Sequence, residues 1–467
     1  MNPLEPDRAT RSEWADQVLA TTDAFIAGLS DAPASNLPTA DHWRDWLDEA
    51  PPEDGTALPD LLARIGVAAS RAVETAGPGY LAYFPAGGLY SSVLGETLAQ
   101  TLNRFTGVVG MAPELVAMEH GLLRWFGRQF GLPSDAGGVV TTGASVATLT
   151  ALHTARESRL RWPDESATMY VTAQTHHCVA KAARITGFTA DQIRTVPMDG
   201  ELRMDIDAAE AMIARDRRAG RRPFWIVGTA GSTSTGTIDP LSAVGELARR
   251  EGLWFHVDAA YGGGFILTER GREALSGIET ADSIVFDPHK SMFLPYGTGV
   301  LLVRDRQELV AAHSADGDYL QDLLDDPEIP DFSDLGPELT RASRGLRMWL
   351  PLHLHGVDRF RSELDEKLDL ARWAYEELSA DPNLEVLLRP DLTVLVVRAR
   401  AGEDATRLMF EEVNATGRIF VSSTQVDGVF TIRLCVLSHR THRDRVEEAV
   451  AIVRDAGDRT KVAVALD

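Results

Sequence analysis

Between about residues 79 and 345 the chain alternates short apolar runs with stretches of helical periodicity, and this alternation limits the fold more than any other feature. The runs at 138–141, 169–172, 224–228, 253–257, 283–286 and 300–303 have the length of strands, and helical stretches such as 146–159, 179–186 and 241–250 lie between them. Strands that alternate with helices predict an α/β protein with a doubly wound, mainly parallel sheet. Before it, residues 1–78 read as an N-terminal helical arm: amphipathic stretches at 14–29, 43–50 and 58–73 are interrupted by breaks such as Pro51-Pro52. After it, residues 346–467 read as a smaller C-terminal α/β domain, with a helix at 357–379, strands near 392–397, 419–422 and 431–436, and a last helix at 443–456. The segment 316–338 is acidic and broken by Pro327, Pro330 and Pro337, so a mobile loop is expected there.

Charge and cysteine content restrict the setting. A formal charge of -23 argues against nucleic acid or an anionic membrane surface as a partner. No apolar stretch approaches the ~18 residues of a membrane span. The N-terminus is acidic where a secretory signal would be basic and then apolar. Two cysteines, Cys178 and Cys435, make no disulfide framework, so a cytoplasmic protein is expected.

Of 46 basic residues only four are lysines, Lys181, Lys290, Lys367 and Lys461, so chemistry that needs a primary amine has few candidates. Lys367 and Lys461 fall on charged helical or terminal segments and Lys181 inside an expected helix, the usual setting of a surface lysine. Lys290 differs: Asp287-Pro-His-Lys290 follows a strand, and the carboxyl ends of parallel strands are where α/β sites form. Phe255-His256-Val-Asp258-Ala-Ala260 is a buried strand ending in an acid, which is costly unless the acid meets a cation. A strand-end cap, or a metal pair with His256, is the alternative, although no third ligand is evident. Val140-Thr-Thr-Gly143-Ala144-Ser145 turns from strand to helix and exposes backbone N–H groups at a positive helix end, which suits a phosphate; Ser145 as a simple N-cap is the bland reading. Gln174-Thr-His176-His177-Cys178 places an imidazole after another strand, able to lie flat on an aromatic ring, with a His/Cys metal cluster as the competing idea.

A lysine to hold an aldehyde, an acid to keep a pyridine nitrogen protonated, an anion-binding turn and a flat side chain are what pyridoxal 5'-phosphate (PLP) chemistry asks of a protein. The ordered set Thr142-Gly-Ala-Ser145, Ala173-Gln-Thr-His176, Thr229-Ala-Gly-Ser-Thr233, His256-Val-Asp258-Ala-Ala260 and Asp287-Pro-His-Lys290 resembles the group II PLP-dependent amino acid decarboxylases, which include aromatic-L-amino-acid, histidine and glutamate decarboxylases. Tyr83-Phe84-Pro85-Ala86, Arg344-Gly-Leu-Arg-Met-Trp349, Thr431-Ile-Arg433-Leu and Ser438-His-Arg440-Thr441 extend the resemblance over roughly residues 75–455.

The resemblance implies fold type I and a homodimer with shared active sites and a swapped N-terminal arm. It makes Lys290 the Schiff-base lysine, Asp258 the partner of the ring nitrogen beside Ala260, and His176 the residue stacked on the ring. It puts Thr233 near the ring oxygen, Ala144, Ser145 and His289 at the phosphate, and Tyr83 and Phe84 at the entrance for the small-molecule amino acid substrate. The activity it implies is loss of CO2 from an L-amino acid; the residues require no metal.

Three departures qualify it. Relatives carry a tyrosine in the loop after the lysine, thought to protonate the substrate carbon, and here Phe332 aligns with it. In plant and insect relatives a phenylalanine there accompanies oxidative aldehyde synthesis; alternatively Tyr319 or a partner-chain residue supplies the proton. Val146 stands where relatives often have Glu, and 103–112 lacks the aromatic residues usual for aromatic substrates. An aldehyde synthase, another PLP lyase or aminotransferase, and a non-enzymatic scaffold are the competing functions; a scaffold would usually have lost Lys290 or Asp258.

Overall fold

The computed structural model describes residues 4–38, 42–314 and 329–464. Seven strands build the main sheet: β1 (Gly137–Thr141), β2 (Ala167–Thr172), β3 (Ile193–Val196), β4 (Arg222–Thr229), β5 (Trp254–Asp258), β6 (Ser283–Phe286) and β7 (Gly299–Val303), in spatial order β1-β7-β6-β5-β4-β2-β3. Strands β3, β2, β4, β5 and β6 pair in parallel, whereas β7 runs antiparallel to both β6 and β1. All six expected strands are present, and the sheet is mainly parallel, as the alternation predicts. The addition is β3, a short edge strand whose Arg194 and Thr195 dilute its apolar signal. β5 is buried along its length, and the helices Ala144–Arg159 and Leu241–Glu251 both pack against it. Burial on both faces is why β4 and β5 read as continuous apolar runs rather than alternating ones.

A second, antiparallel sheet of order β10-β11-β9-β8 follows, from β8 (Leu384–Val386), β9 (Val394–Ala399), β10 (Ser422–Val426) and β11 (Val429–Cys435). Helices Val357–Ser379, Glu403–Ala415 and Arg443–Val464 contribute to its own core of Leu378, Leu395, Val397, Met409, Ile432 and Val453. Two boundaries differ from expectation. The last helix runs on to Val464. The strand expected at 419–422 starts only at Ser422, because the Phe420 backbone is engaged by Gly79 and Leu81 instead.

In the arm, helices Arg8–Gly28 and Leu58–Ser70 contain no buried residue. The stretch expected to be helical at 43–50 forms only a 3-10 turn, His42–Trp46; Pro51 disfavours helical backbone in the residue before it, and Pro52 restricts Pro51 in turn. The arm is tied down where Ala34 N–H meets the Gly417 carbonyl at 2.8 Å and Arg445 Nη2 meets the Ser30 carbonyl at 2.9 Å.

Two expectations need correcting. Of the expected loop 316–338, residues 316–328, Tyr319 among them, lie outside the described residues, but 329–338 is not loose: Phe332 and Leu335 are each 1% exposed and Asp331 accepts the Val109 N–H at 2.6 Å. The fully buried pair Arg341–Glu119, 2.6 Å apart, clamps that stretch to the body of the protein; losing either partner strands a charge, at about 3–5 kcal/mol. Lys367 is not a surface lysine. It is fully buried, its ammonium 2.7 Å from Glu366 and donating to the Thr441 carbonyl at 2.8 Å. Among the described residues no helix is long and apolar enough to cross a membrane.

Candidate active site

Strands β1, β2, β4, β5 and β6 end on one edge of the sheet, and the segments that follow carry Ala144, His176, Thr233, Asp258 and Lys290. Asp258 is the last residue of β5, 5% exposed, with the Ala260 N–H donating to its Oδ1 at 3.1 Å. Burial pushes this carboxyl above its ordinary range and the Asp287 charge adds to that, against the pull of Lys290 and the Ala260 N–H. Such an acid is under-compensated by the protein alone and suits an added cation.

Lys290 stands in the short helix Pro288–Ser291 after β6. Its Nζ is 3.0 Å from Asp287 Oδ2 and 5.1 Å from the centroid of the Phe84 ring. The other Asp287 oxygen accepts the Ala144 N–H at 2.7 Å, at the positive end of the helix Ala144–Arg159. This turn depends on Gly299: a Cβ there would lie 2.4 Å from the Gly143 Cα, so β7 must begin with glycine. His289 Nδ1 donates to the Thr298 carbonyl at 2.7 Å, which leaves Nε2 turned toward Asp287 at 3.7 Å. Ser145 is exposed on the same turn.

His176 accepts the Cys178 N–H on Nδ1 at 3.3 Å, so its neutral ring carries the proton on Nε2. Burial, then the His177 and Lys290 charges, lower its pKa to about 4 against the opposing pull of Asp287. The imidazole is therefore neutral near pH 7, the form that lies against an aromatic ring without charge repulsion.

The second sheet reaches the site through Arg433 of β11, whose guanidinium lies 4.6 Å from the Phe84 ring centroid. Its Nε donates to the Thr233 carbonyl at 2.7 Å and its Nη1 to the Tyr83 carbonyl at 2.5 Å, while its buried Nη2 has no hydrogen-bond partner among the described residues. Phe84 also stacks on Tyr261, centroids 4.4 Å apart. Backbone strain is stored on both sides: Tyr83 (φ 45°) and Phe293 (φ 64°) adopt a left-handed conformation that bulky residues resist.

The structure thus gathers Lys290, Asp258, Ala260, His176, Ala144, Ser145, His289 and Phe84, and Arg433 links Thr233 and Tyr83 to them. Phe332 has other ring partners: it lies between His120 (4.3 Å, 6° between planes) and the Arg341 guanidinium at 4.3 Å. Neither metal alternative gains support: His256 Nδ1 is bonded to Ser283 Oγ at 2.8 Å, and the only group with ligand spacing among the described residues is Glu363, Glu366 and His442. The Lys367 ammonium already supplies a cation to that group, 2.7 Å from Glu366 and 3.7 Å from Glu363.

Sequence reading missed Asp287 and Arg433 as site groups. The available signals were an acid three residues before Lys290 on one helical turn, and a lone arginine inside the otherwise uncharged run Val429–Cys435.

The pyridoxal-dependent decarboxylase conserved domain matches residues 41–400. The chain belongs to this decarboxylase family. It is 30% identical over 447 residues to the aromatic-L-amino-acid decarboxylase of Bacillus atrophaeus, covering 93% of each chain. It is 29% identical to the phenylacetaldehyde synthase of Arabidopsis thaliana, covering 81% of each. Its fold matches that of the Oryza sativa TDC crystallised with PLP and tryptamine, with a TM-score of 0.92, 24% identity, and coverage of 98% of this chain and 99% of that one. As a family member it is a PLP-dependent carboxy-lyase of fold type I.

PLP fits the residues present in this family member. The Ala144–Ser145 turn, an exposed hydroxyl and a helix dipole would take the phosphate; Asp258, a buried acid in need of a cation, would take the ring nitrogen; and neutral His176 would lie on the ring.

Proposed function

We propose that this enzyme removes the carboxylate of an L-amino acid as CO2 and releases the amine. The observation that carries the reading is the Lys290–Asp258–His176 arrangement at the strand ends of a chain in this family. PLP, when bound, supplies the electron sink for the pair left as the carboxylate departs. Lys290 would anchor the cofactor through its side-chain amine. Asp258 would hold the ring nitrogen protonated. The free Nη2 edge of Arg433, buried beside Phe84, offers the substrate carboxylate a charge-assisted hydrogen bond and so fixes which bond breaks. Thr233 would lie at the ring oxygen side, His289 and Ser145 at the phosphate, and Tyr83 and Phe84 at the substrate entrance.

A second reading, oxidative conversion to the aldehyde with ammonia and peroxide, is favoured by one observation: the residue aligned with the loop tyrosine is Phe332, which has no proton to give. The relative named phenylacetaldehyde synthase supports keeping it. The test is mass spectrometry of the products from a panel of L-amino acids in air, with oxygen uptake recorded. Amine without oxygen uptake is the expected result; aldehyde with peroxide would replace the first reading by the second. Where aldehyde is among the products, Phe332→Tyr should move the product ratio toward amine, by at least about tenfold if a new phenol reaches the substrate carbon. An unmoved ratio would remove Phe332 from the chemistry.

The same reading includes a homodimer. Its support is the arm, which leaves Trp14, Val18, Phe25, Leu61 and Ile65 exposed on helices that bury nothing within the chain. Sedimentation at micromolar concentration should give about 102 kDa, twice the 50.9 kDa chain; a 51 kDa species would rule the dimer out. A cytoplasmic location, supported by two free buried cysteines, is the remaining part and is checked by cell fractionation.

A further inference from the structure

Asp287 is the acid that the assigned roles leave unused, and it sits where an anion belongs. It is 3% exposed, and its two oxygens face two donors, the Ala144 N–H at 2.7 Å and Lys290 Nζ at 3.0 Å, with the His289 ring edge 3.7 Å away. A helix's first N–H and an ammonium are the partners a phosphate ester would recruit. The space is shared as well: a Cβ on Gly143 would lie 3.6 Å from His289 Cε1 and 3.9 Å from Asp287 Oδ1, so turn, imidazole and carboxylate converge.

We infer that Asp287 is an internal anion of the phosphate cradle, competing with the cofactor's phosphate for the Ala144 N–H and thereby limiting how tightly that phosphate is held. The competition follows from sign and geometry. One N–H hydrogen cannot serve two anions fully, and two negative groups brought to one buried spot repel. In return the carboxylate caps the helix and pairs with Lys290 until the phosphate arrives, which stabilises the folded chain. The inference rests on reading Lys290 and the Ala144–Ser145 turn as the cofactor site.

The test uses the full-length protein and the near-isosteric Asp287→Asn, with Asp287→Ser as a second variant should the first fold poorly. PLP and pyridoxal are titrated by visible absorbance, and inorganic phosphate by the rise in melting temperature of the protein freed of cofactor. Removing the charge should tighten PLP and inorganic phosphate at least about tenfold, leave pyridoxal within about threefold, and lower the melting temperature of the cofactor-free chain. Phosphate affinity unchanged or weakened in both variants would overturn the inference and leave Asp287 a structural cap. An equal gain for pyridoxal would also overturn it, because the effect would then run through Lys290. Failure here is separable from failure of the underlying reading: the phosphate titration involves no covalent bond to Lys290, whereas that reading falls if the cofactor remains attached to a variant without this lysine.

Discussion

Lys290→Ala is expected to remove both the covalent cofactor and the activity while leaving the fold in place. Turnover should fall by more than about 10³-fold, since both the covalent anchor and a nearby amine able to move protons are lost. Wild-type protein reduced with borohydride should carry PLP on a peptide spanning 287–299, and the variant should carry none. The other lysines are poor substitutes. Lys181 is exposed on the helix Cys178–Ile185, and Lys367 is held at full burial by Glu366, Glu363 and the Thr441 carbonyl. The Lys461 side chain lies outside the described residues. Far-ultraviolet circular dichroism should stay unchanged, because Lys290 is partly exposed and Asp287 keeps the Ala144 N–H. An undiminished reducible adduct in the variant would move the anchor to another lysine.

Asp258→Asn should separate catalysis from folding in the opposite way. The amide keeps the shape and the bond to the Ala260 N–H but no longer holds a proton on the ring nitrogen. A turnover loss of about 10²–10³-fold is expected, the scale seen when one preorganised electrostatic contact is deleted. The cofactor should still attach, since Lys290 is untouched. Without cofactor the variant should melt no lower than wild type: burial already strains the Asp258 carboxylate, and removing that charge relieves the protein. Adding PLP should then raise the melting temperature less than it does in wild type. Turnover within about threefold of wild type would show that Asp258 serves only as a strand-end cap, a role that needs no charge.

How far the site was legible follows from the range of each signal. Lys290 and Asp258 could be read because strand ends, rare lysines and a buried acid are all local features. Asp287 could not, since its meaning comes from the Ala144 N–H, 143 residues away in sequence. Arg433 reaches Thr233 across 200 residues and Tyr83 across 350. The described part of the expected loop, residues 329–338, misled for a related reason: charge and prolines describe a loop in isolation, whereas His120 and Arg341 pack around Phe332.

The sequence by itself determined the alternating α/β plan, the strands that carry the site, and the lysine and acid at their ends, because periodicity of apolar residues and turn chemistry act within about ten residues. The tertiary structure alone decided that β7 runs against its neighbours, that the Gly143 turn closes on Gly299, that Lys367 is buried with its own acids, and that a carboxylate holds the phosphate-ready N–H. Those outcomes depend on which distant surfaces meet, and a residue's partner there is chosen by burial and charge compensation across the whole chain.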